Sequence, residues 1–204
     1  MWSTALLVLS AYLLGTFPTA LLVAGRKGQD PTREGSGNPG ATNVARTVGR
    51  RAGMVVLLGD VAKGAVATAL GMTLGGRVVG LTCGLAAVLG HVLPVTRRFR
   101  GGKGVATAVG FVGVAFPLEA LAATTVWLAV VLLTRRVAPA SIALVVALPI
   151  LGVVTGRPGS ELAVTAGTAL LVIARHRDNI VRMRRGDEPA FAADPRRVDP
   201  LVES

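Results

Sequence analysis

Long apolar runs, separated by short polar and glycine-rich segments, dominate the hydrophobic pattern of the chain. A helix needs about 20 residues to cross the hydrocarbon core of a bilayer, and backbone groups in lipid must be hydrogen-bonded within their own segment. Most runs approach that length, although the last is short, so the pattern predicts membrane-spanning helices and no strands. The apolar runs are residues 5–24, 54–74, 78–95, 105–134, 137–155 and 162–174.

Residues 105–134 could form one long helix or a hairpin of two short ones, because Pro117 interrupts the run. The charges favour the hairpin. It gives seven crossings and places 19 of the 22 Lys and Arg residues on one side, leaving only Arg77 and Arg157 opposite and Lys63 within a span. Basic loops face the cytoplasm. We therefore predict an outside N-terminus and a cytoplasmic C-terminus. The basic segments are residues 25–53, 96–104, 134–136 and 175–204.

The composition supports an all-α, polytopic membrane protein. Hydrophobic residues make up 51% of the 204 residues and charged residues 16%, with a mean hydropathy of +0.60. A soluble domain carries about 25% charged residues. We find no internal repeat and no second domain, and predict one membrane domain over residues 1–190. The polar, proline-containing end, residues 191–204, is predicted to be disordered.

The net charge of +11 could indicate nucleic-acid binding, but the charges lie in short clusters between apolar runs, and aromatic residues make up only 4%. Such a chain lacks the aromatic side chains on which bases stack, so we predict no nucleic-acid partner. The chain contains one cysteine, Cys83, which excludes an intrachain disulfide.

Three polar segments would share the cytoplasmic face, and the first reads GSGNPGATNVAR. Glycines let backbone N–H groups approach a ligand closely, and successive amides form an anion-binding concavity. If Asn38 capped a helix with Pro39 in its first turn, the helix dipole would add to that field. We predict a phosphate-binding loop. Its candidate residues are Gly35, Ser36, Gly37, Asn38, Gly40, Thr42, Asn43 and Arg46.

The second segment, GHVLPVTRRFRGGKGVAT, contains Lys103 among three glycines. Lys103 could be one more basic anchor at the membrane surface. We favour a contact with a bound anion, because three arginines of the same segment already provide such anchors. His91 could either make structural hydrogen bonds or belong to the site, and the sequence does not decide between these roles. The flanking candidates are Gly101, Gly102 and Gly104.

The third segment, RHRDNIVRMRRGDEP, places His176, Asn179 and Arg182 at helical spacing on one face. A solvated helix at the membrane surface is the alternative, although asparagine is a poor helix former. Asp60 and Lys63 are three residues apart within a predicted span. Buried ionisable groups in membranes are normally paired or functional, and here we favour a structural ion pair over a catalytic role.

Several other site types are excluded. The glycines of the first segment match G-x-G-x-x-G, but a predicted span precedes them where a dinucleotide site needs a strand. The glycines around Lys103 lack the spacing of a P-loop. Two histidines and one cysteine cannot form a Cys-His metal cage, and no paired acidic motif is present. We predict metal-free chemistry on anionic substrates.

The motifs, in their order and spacing, resemble those of the bacterial acyl-phosphate:glycerol-3-phosphate acyltransferases. The resemblance covers residues 15–189. It rests on GTFPTALLVA, GSGNPGATNVAR, GDVAKG, LGHVLPV with FRGGKGVATAVG, and RHRDNIVRMRRGDEP. It implies transfer of a fatty acyl group from acyl phosphate to the sn-1 hydroxyl of glycerol 3-phosphate. The products would be lysophosphatidic acid and phosphate, made without acyl-CoA, a metal or another cofactor.

The resemblance also implies roles for individual residues. From the residues and the resemblance together, we predict that Ser36, Arg46, Lys103, His176 and Asn179 are catalytic, and that the other candidates above, with Arg182, bind substrate. Two further binding residues are Glu188 and Ser141, although alanines stand at 138 and 140 where the family has serines. Either His176 or the donor phosphate could accept the hydroxyl proton. We expect a monomer in the bacterial cytoplasmic membrane, in contact with lipid. A small carrier for an organic phosphate is the alternative function.

Overall fold

The structure, a computed structural model, describes residues 3–191. Nearly all of the predicted disordered end therefore lies outside the described residues. Every regular element within residues 3–191 is helical, as the hydrophobic pattern predicts. The elements are α1 (Thr4–Gly15), α2 (Thr19–Gly25), α3 (Ala41–Thr47), α4 (Arg50–Val92), a 3₁₀ turn (Val95–Arg97), α5 (Val105–Ala115), α6 (Pro117–Thr134), α7 (Val137–Val154), α8 (Gly159–Arg175) and α9 (Arg177–Arg185).

The first apolar run is not one continuous helix, which corrects the prediction for residues 5–24. Helix α1 ends at Gly15, and α2 begins at Thr19. Pro18 lies at the junction, where it has no N–H to continue the hydrogen-bond ladder and restricts the backbone of Phe17. At this break the Phe17 carbonyl accepts two hydrogen bonds, from the Thr19 N–H at 3.0 Å and from Lys63 Nζ at 3.3 Å.

Helix α4 contains both the second and third predicted spans. Gly76, with φ of 80° and ψ of −176°, breaks the helical backbone between arms of residues 50–75 and 77–92. The arms pack closely, since a Cβ atom at Gly71 would lie 2.8 Å from the Cα of Gly80. The glycine turn therefore reverses the chain within what is formally one 43-residue helix.

The break predicted in residues 105–134 is confirmed. Helix α5 ends at Ala115, and Pro117 occupies the first turn of α6, where its missing N–H costs no helical hydrogen bond. Phe116 at the junction is 2% exposed, and its ring meets that of Phe111 edge to face at 6.3 Å. The two rings anchor this corner in the main core.

The main core lies between α5, α7, α8 and the second arm of α4. It contains Phe111, Val145, Leu148 and Val172, each at most 1% exposed. The exterior is also apolar: Leu133 is 85% exposed, and similar side chains are exposed along α4, α6 and α7. Such a surface fits contact with lipid. Within the described residues, four segments are long and apolar enough to cross a membrane: Thr4–Gly25, Arg50–Arg97, Pro117–Thr134 and Val137–Val154.

An ion-pair network connects three helix junctions at the end of the bundle that contains Gly76. We call it the corner network. Arg77 NH2 donates to Glu161 Oε2 at 2.9 Å, and Arg157 Nε donates to Glu119 Oε1 at 2.7 Å. Both guanidinium groups also lie over the Phe116 ring, at 5.2 and 5.4 Å from its centroid. The network holds the turn of α4, the start of α6 and the start of α8 together.

Candidate active site

The first polar loop ends in α3, but its helix cap differs from the prediction. Gly40, in an extended conformation with φ of −134° and ψ of 165°, is the N-cap, and α3 begins at Ala41. The Gly40 N–H donates to the Asn38 carbonyl at 2.9 Å. This tight turn places Asn38 and Pro39 before the helix, so neither the predicted Asn38 cap nor Pro39 in the first helical turn occurs.

Asn43 organises the loop from within. Its Oδ1 accepts a hydrogen bond from the Ser36 N–H at 2.9 Å, and its Nδ2 donates to the carbonyls of Pro31 and Glu34 at 2.9 and 3.0 Å. Gly35 has a φ of 58°, and a Cβ atom there would lie 2.3 Å from Asn43 Oδ1. The amide and the glycine together fix the turn. A contact of Asn43 with substrate stays a prediction.

The loop leaves other groups free to meet a ligand. Gly35, Ser36 and Gly37 are exposed, whereas Thr42 is half-buried. Arg46 lies in the last turn of α3, and its Nε is buried without a hydrogen-bond partner within residues 3–191. A buried guanidinium N–H with no partner is costly, and an anionic ligand would satisfy it.

The second polar loop, residues 101–104, is fixed on both sides of Lys103. Gly101 and Gly102 are buried against the end of α4, and Gly104 adopts the left-handed conformation, with φ of 86°, just before α5. Arg175 NH2 donates to the Gly101 carbonyl at 3.1 Å. The loop thereby connects the ends of α4 and α8 and presents Lys103 from a well-defined backbone.

Lys103 joins the second motif to the third, although 76 residues separate it from its partner. Its Nζ donates to Asn179 Oδ1, and Asn179 Nδ2 donates to Glu188 Oε1 at 2.7 Å. Arg182 Nε donates to the other oxygen of Glu188 at 2.9 Å. We call these four residues the Lys103 network. The predicted face of α9 is therefore buried against the protein, which excludes the alternative of a fully solvated helix.

Burial lowers the pKa of Lys103 to about 8, and the nearby Glu188 carboxylate partly opposes this shift. The ammonium group is thus mostly charged at neutral pH but loses its proton far more readily than an exposed lysine. One cation among polar partners, at the junction of two motifs, is well placed to hold a phosphate.

His176 lies between α8 and α9 and is only 2% exposed. Its Nδ1 is 2.8 Å from the Val172 carbonyl. A carbonyl only accepts, so Nδ1 carries the hydrogen, and Nε2 keeps its lone pair. Burial lowers the pKa of His176 to about 4, although the bond to Val172 opposes the shift. The imidazole is therefore neutral near pH 7, with Nε2 able to accept a proton or a hydrogen bond.

A small polar pocket joins the first and second loops. Pro39 of the first loop and Gly102 of the second line it, together with Asp60, Lys63 and His91. The predicted ion pair is confirmed, with Lys63 Nζ 3.0 Å from Asp60 Oδ1. Ser141 is buried on α7 at 3% exposure, and its role toward substrate stays a prediction.

Two arginines at these loops were absent from the sequence prediction. Arg175 holds the Gly101 carbonyl, and its Nε is buried without a partner within the described residues. It directly precedes His176 in the third motif, which was the available signal. Arg97 lines the polar pocket. Its place in an arginine cluster favoured a membrane-surface anchor, and nothing in the sequence set it apart.

Comparisons with known proteins support the motif resemblance. The family model for glycerol-3-phosphate acyltransferase matches residues 5–186. A glycerol-3-phosphate acyltransferase of Geotalea daltonii is 44% identical over 193 residues, which cover 94% of this chain and 99% of the relative. That of Geobacter sulfurreducens is 42% identical over 195 residues, covering 95% and 100% of the two chains.

The fold matches crystal structures of PlsY (YgiH), an integral membrane glycerol 3-phosphate acyltransferase. The glycerol 3-phosphate form superposes with a TM-score of 0.89 and 40% identity, covering 93% of this chain and 96% of the other. The lysophosphatidic acid form gives a TM-score of 0.86 and 40% identity, covering 92% and 95%. This protein is thus an all-helical integral membrane protein, and it belongs to the glycerol-3-phosphate acyltransferase family.

Proposed function

We propose that the protein transfers a fatty acyl group from acyl phosphate to the sn-1 hydroxyl of glycerol 3-phosphate, giving lysophosphatidic acid and phosphate. The observation that carries this proposal is the Lys103 network, in which Lys103 of the second motif meets Asn179 and Glu188 of the third. It supplies cations and an amide donor, and Arg46 and Arg175 add buried Nε–H groups that have no partner within residues 3–191. These groups suit two phosphate-bearing substrates.

The reaction needs no covalent enzyme intermediate, because acyl phosphate is a mixed anhydride. The hydroxyl oxygen of glycerol 3-phosphate attacks the acyl carbon, and the bond between that carbon and the phosphate oxygen breaks. The hydroxyl proton passes to His176 Nε2 or to the departing phosphate. Catalysis is then mainly the positioning of two mutually repelling anions and the stabilisation of developing charge. We assign Arg46 and Lys103 to holding phosphate, with Ser36 and Asn179 as neutral hydrogen-bonding groups beside them.

We further propose seven crossings, with the polar loops on the cytoplasmic side of the bacterial inner membrane. The seven helical segments are α1 with α2, the two arms of α4, and α5 to α8. The charge distribution supports the orientation, since the three polar segments and 19 of the 22 basic residues then share one side. One chain contains all three motifs, so we propose that the monomer is the catalytic unit.

The test is an assay of purified protein with labelled glycerol 3-phosphate and palmitoyl phosphate, with palmitoyl-CoA and EDTA in parallel reactions. We expect labelled lysophosphatidic acid from the acyl phosphate alone, at a rate that EDTA does not change, because the site offers cations and amides rather than the oxygen ligands of a divalent metal. Comparable rates with the thioester, or strong inhibition by EDTA, would overturn the proposal. Uptake of glycerol 3-phosphate without acyl transfer would indicate a carrier.

A further inference from the structure

A buried polar cluster lies behind the second loop and takes no part in the proposed chemistry. We call Asp60, Lys63 and His91 the buried triad. Asp60 is 2% exposed and Lys63 is 5% exposed. Asp60 Oδ1 lies 3.0 Å from Lys63 Nζ and 3.7 Å from His91 Nδ1, and Lys63 also donates to the Phe17 carbonyl. The triad therefore connects the break between α1 and α2 with both arms of α4.

The ring of His91 reaches from Asp60 to the second loop. A Cβ atom at Gly102 would lie 2.1 Å from His91 Nε2, so the glycine backbone packs directly against this edge of the ring. The Gly102 N–H also donates to the His91 carbonyl at 3.1 Å. The Nδ1 edge of the His91 ring faces Asp60, and the Nε2 edge faces Gly102. Both ring nitrogens thus face protein groups, and His91 also lines the polar pocket between the two loops.

Packing alone does not account for the triad. Replacing a buried ion pair with apolar side chains of similar size is often neutral or stabilising, so burial of these charges adds little stability by itself. The triad does constrain the His91 ring, however, because Asp60 lies against its Nδ1 edge and Gly102 against its Nε2 edge. That ring supports Gly102, the residue before Lys103, while Arg175 holds Gly101 from the other side.

We propose that His91, oriented by Asp60, is a positioning residue that fixes the 101–104 loop and thereby the Lys103 ammonium. A reacting group misplaced by about 1 Å can cost a hundredfold in rate, so a rigid support behind the loop has a large effect on catalysis. The inference rests on the proposed role of Lys103 in phosphate binding. Its test therefore includes a measurement that needs no activity.

The first measurement is a double-mutant cycle. His91→Ala alone should lower kcat/KM by tenfold or more, on the order expected for a displaced contact. In a Lys103→Ala background, the same change should cost less than about twofold, because the group it positions is gone. The control is Thr68→Val, also buried on α4, whose hydroxyl bonds the Gly64 carbonyl at 2.8 Å. It should have the same small effect in both backgrounds.

The second measurement is the rate at which an amine-reactive reagent modifies Lys103 at pH 8. Peptide mass spectrometry quantifies the modified fraction. Lys27 is exposed and serves as the internal reference. Release of the loop in His91→Ala should speed Lys103 modification by roughly threefold or more relative to Lys27, as a local opening would. Thr68→Val should leave the ratio unchanged. If the ratio of Lys103 to Lys27 modification rates is the same in His91→Ala as in the parent protein, the proposal is wrong. An equal fold loss of kcat/KM on His91→Ala substitution, with and without Lys103→Ala, would overturn it as well.

Discussion

At the scale of single residues, Lys103 should give the enzyme an alkaline limit. Because burial lowers its pKa to about 8, the ammonium loses its proton, and with it the charge that holds phosphate, as the pH rises through 8. We expect kcat/KM, which reports the free enzyme, to fall above pH 8. Lys103→Arg keeps a cation at all accessible pH values. The variant should be less active at pH 7, because a planar guanidinium does not replace an ammonium group in shape. Since its charge does not titrate, it should lose this alkaline fall.

The comparison needs both proteins measured with the same two substrates between pH 6.5 and 10. Lys103→Ala is the second control, and it should lose activity at every pH, because a charge-assisted contact is worth about 1.5–3 kcal/mol, or more than tenfold in rate. An alkaline limb in Lys103→Arg identical to that of the unmodified enzyme would show that another group titrates there.

His176 should not produce an acidic limb near pH 6.5. Its pKa is lowered to about 4 by burial, so the imidazole stays deprotonated and neutral between pH 5 and 8. The phosphate monoester of glycerol 3-phosphate, with a second pKa near 6, titrates in that range instead. We expect His176→Gln to lower kcat on the order of tenfold, as loss of a buried hydrogen-bonding group would, while the shape of the pH–rate profile stays the same.

The measurement is kcat across pH 5–8 for both proteins. If the residual rate of His176→Gln no longer varied with pH over this range, His176 would be the titrating general base and the assignment would be wrong. Retention of the acidic limb would instead favour the donor phosphate as the proton acceptor.

Asn43 should prove essential to the first loop through its internal bonds. Its amide both accepts from the Ser36 N–H and donates to two carbonyls. Asn43→Asp keeps the acceptor but turns a carboxylate toward the Pro31 and Glu34 carbonyls, where repulsion replaces two hydrogen bonds. We expect a larger loss of thermal stability from Asn43→Asp than from Asn43→Ala, which leaves unsatisfied backbone groups worth about 1–3 kcal/mol. Equal melting temperatures of the two variants would contradict this account.

At the scale of elements, proline and glycine explain both what the sequence predicted and what it missed. Pro117 correctly marked the start of α6, because a helix can begin but rarely continue at proline. Pro18 breaks the first apolar run for the same reason. The sequence prediction missed this break, because the apolar run continues on both sides of Pro18. The Asn38 cap was wrong because the chain turns once more before α3. Periodicity locates apolar segments well, but helix ends depend on local bonds.

The Lys103 network was only partly predictable. Helical spacing correctly placed Asn179 and Arg182 on one face. Their partner Lys103 lies 76 residues away, and no local pattern records such a contact. Arg175 was missed because its role, a bond to the Gly101 carbonyl, depends on how α8 packs beside the second loop.

The corner network should stabilise the fold without affecting catalysis. The Glu119 carboxylate, 3% exposed, accepts bonds from Arg157 and from the Thr155 hydroxyl at 2.8 Å. Glu119→Gln leaves a guanidinium without its counter-charge beside the core. We expect the melting temperature to fall by roughly 5 °C or more, as for a broken buried ion pair in a chain of this size, with kcat within about twofold.

The matched control is Asp178→Asn, which breaks the Arg177–Asp178 pair, whose side chains are 81% and 74% exposed. Exposed pairs contribute little, so its melting temperature should stay the same. If Glu119→Gln melted like the unmodified protein, the corner network would not be a stabilising contact. A large loss of kcat with an unchanged melting temperature would show instead that it communicates with the active site.

At the scale of the whole molecule, the polar segments and the corner network lie at opposite ends of the helical bundle. The chain reverses at Gly76 and at Phe116, so the first and second loops meet at one pocket, and the second loop meets the third motif through Lys103. Residues distant in the sequence therefore assemble one site. Under the proposed orientation, this arrangement places the polar groups beside cytoplasmic substrates while the apolar exterior stays in contact with lipid.

This arrangement leads to a topology test with single reporter cysteines in intact cells. Under the proposed orientation, Ser160 at the start of α8 faces outward and is exposed, while Ser204 lies on the cytoplasmic side. Ser160→Cys should react readily with a membrane-impermeant thiol reagent, and Ser204→Cys should react only after permeabilisation. The native Cys83 is 1% exposed and should contribute little background, which the unmodified protein measures. Ready labelling of Ser204→Cys in intact cells would reverse the orientation and place the proposed active site on the wrong side for cytoplasmic glycerol 3-phosphate.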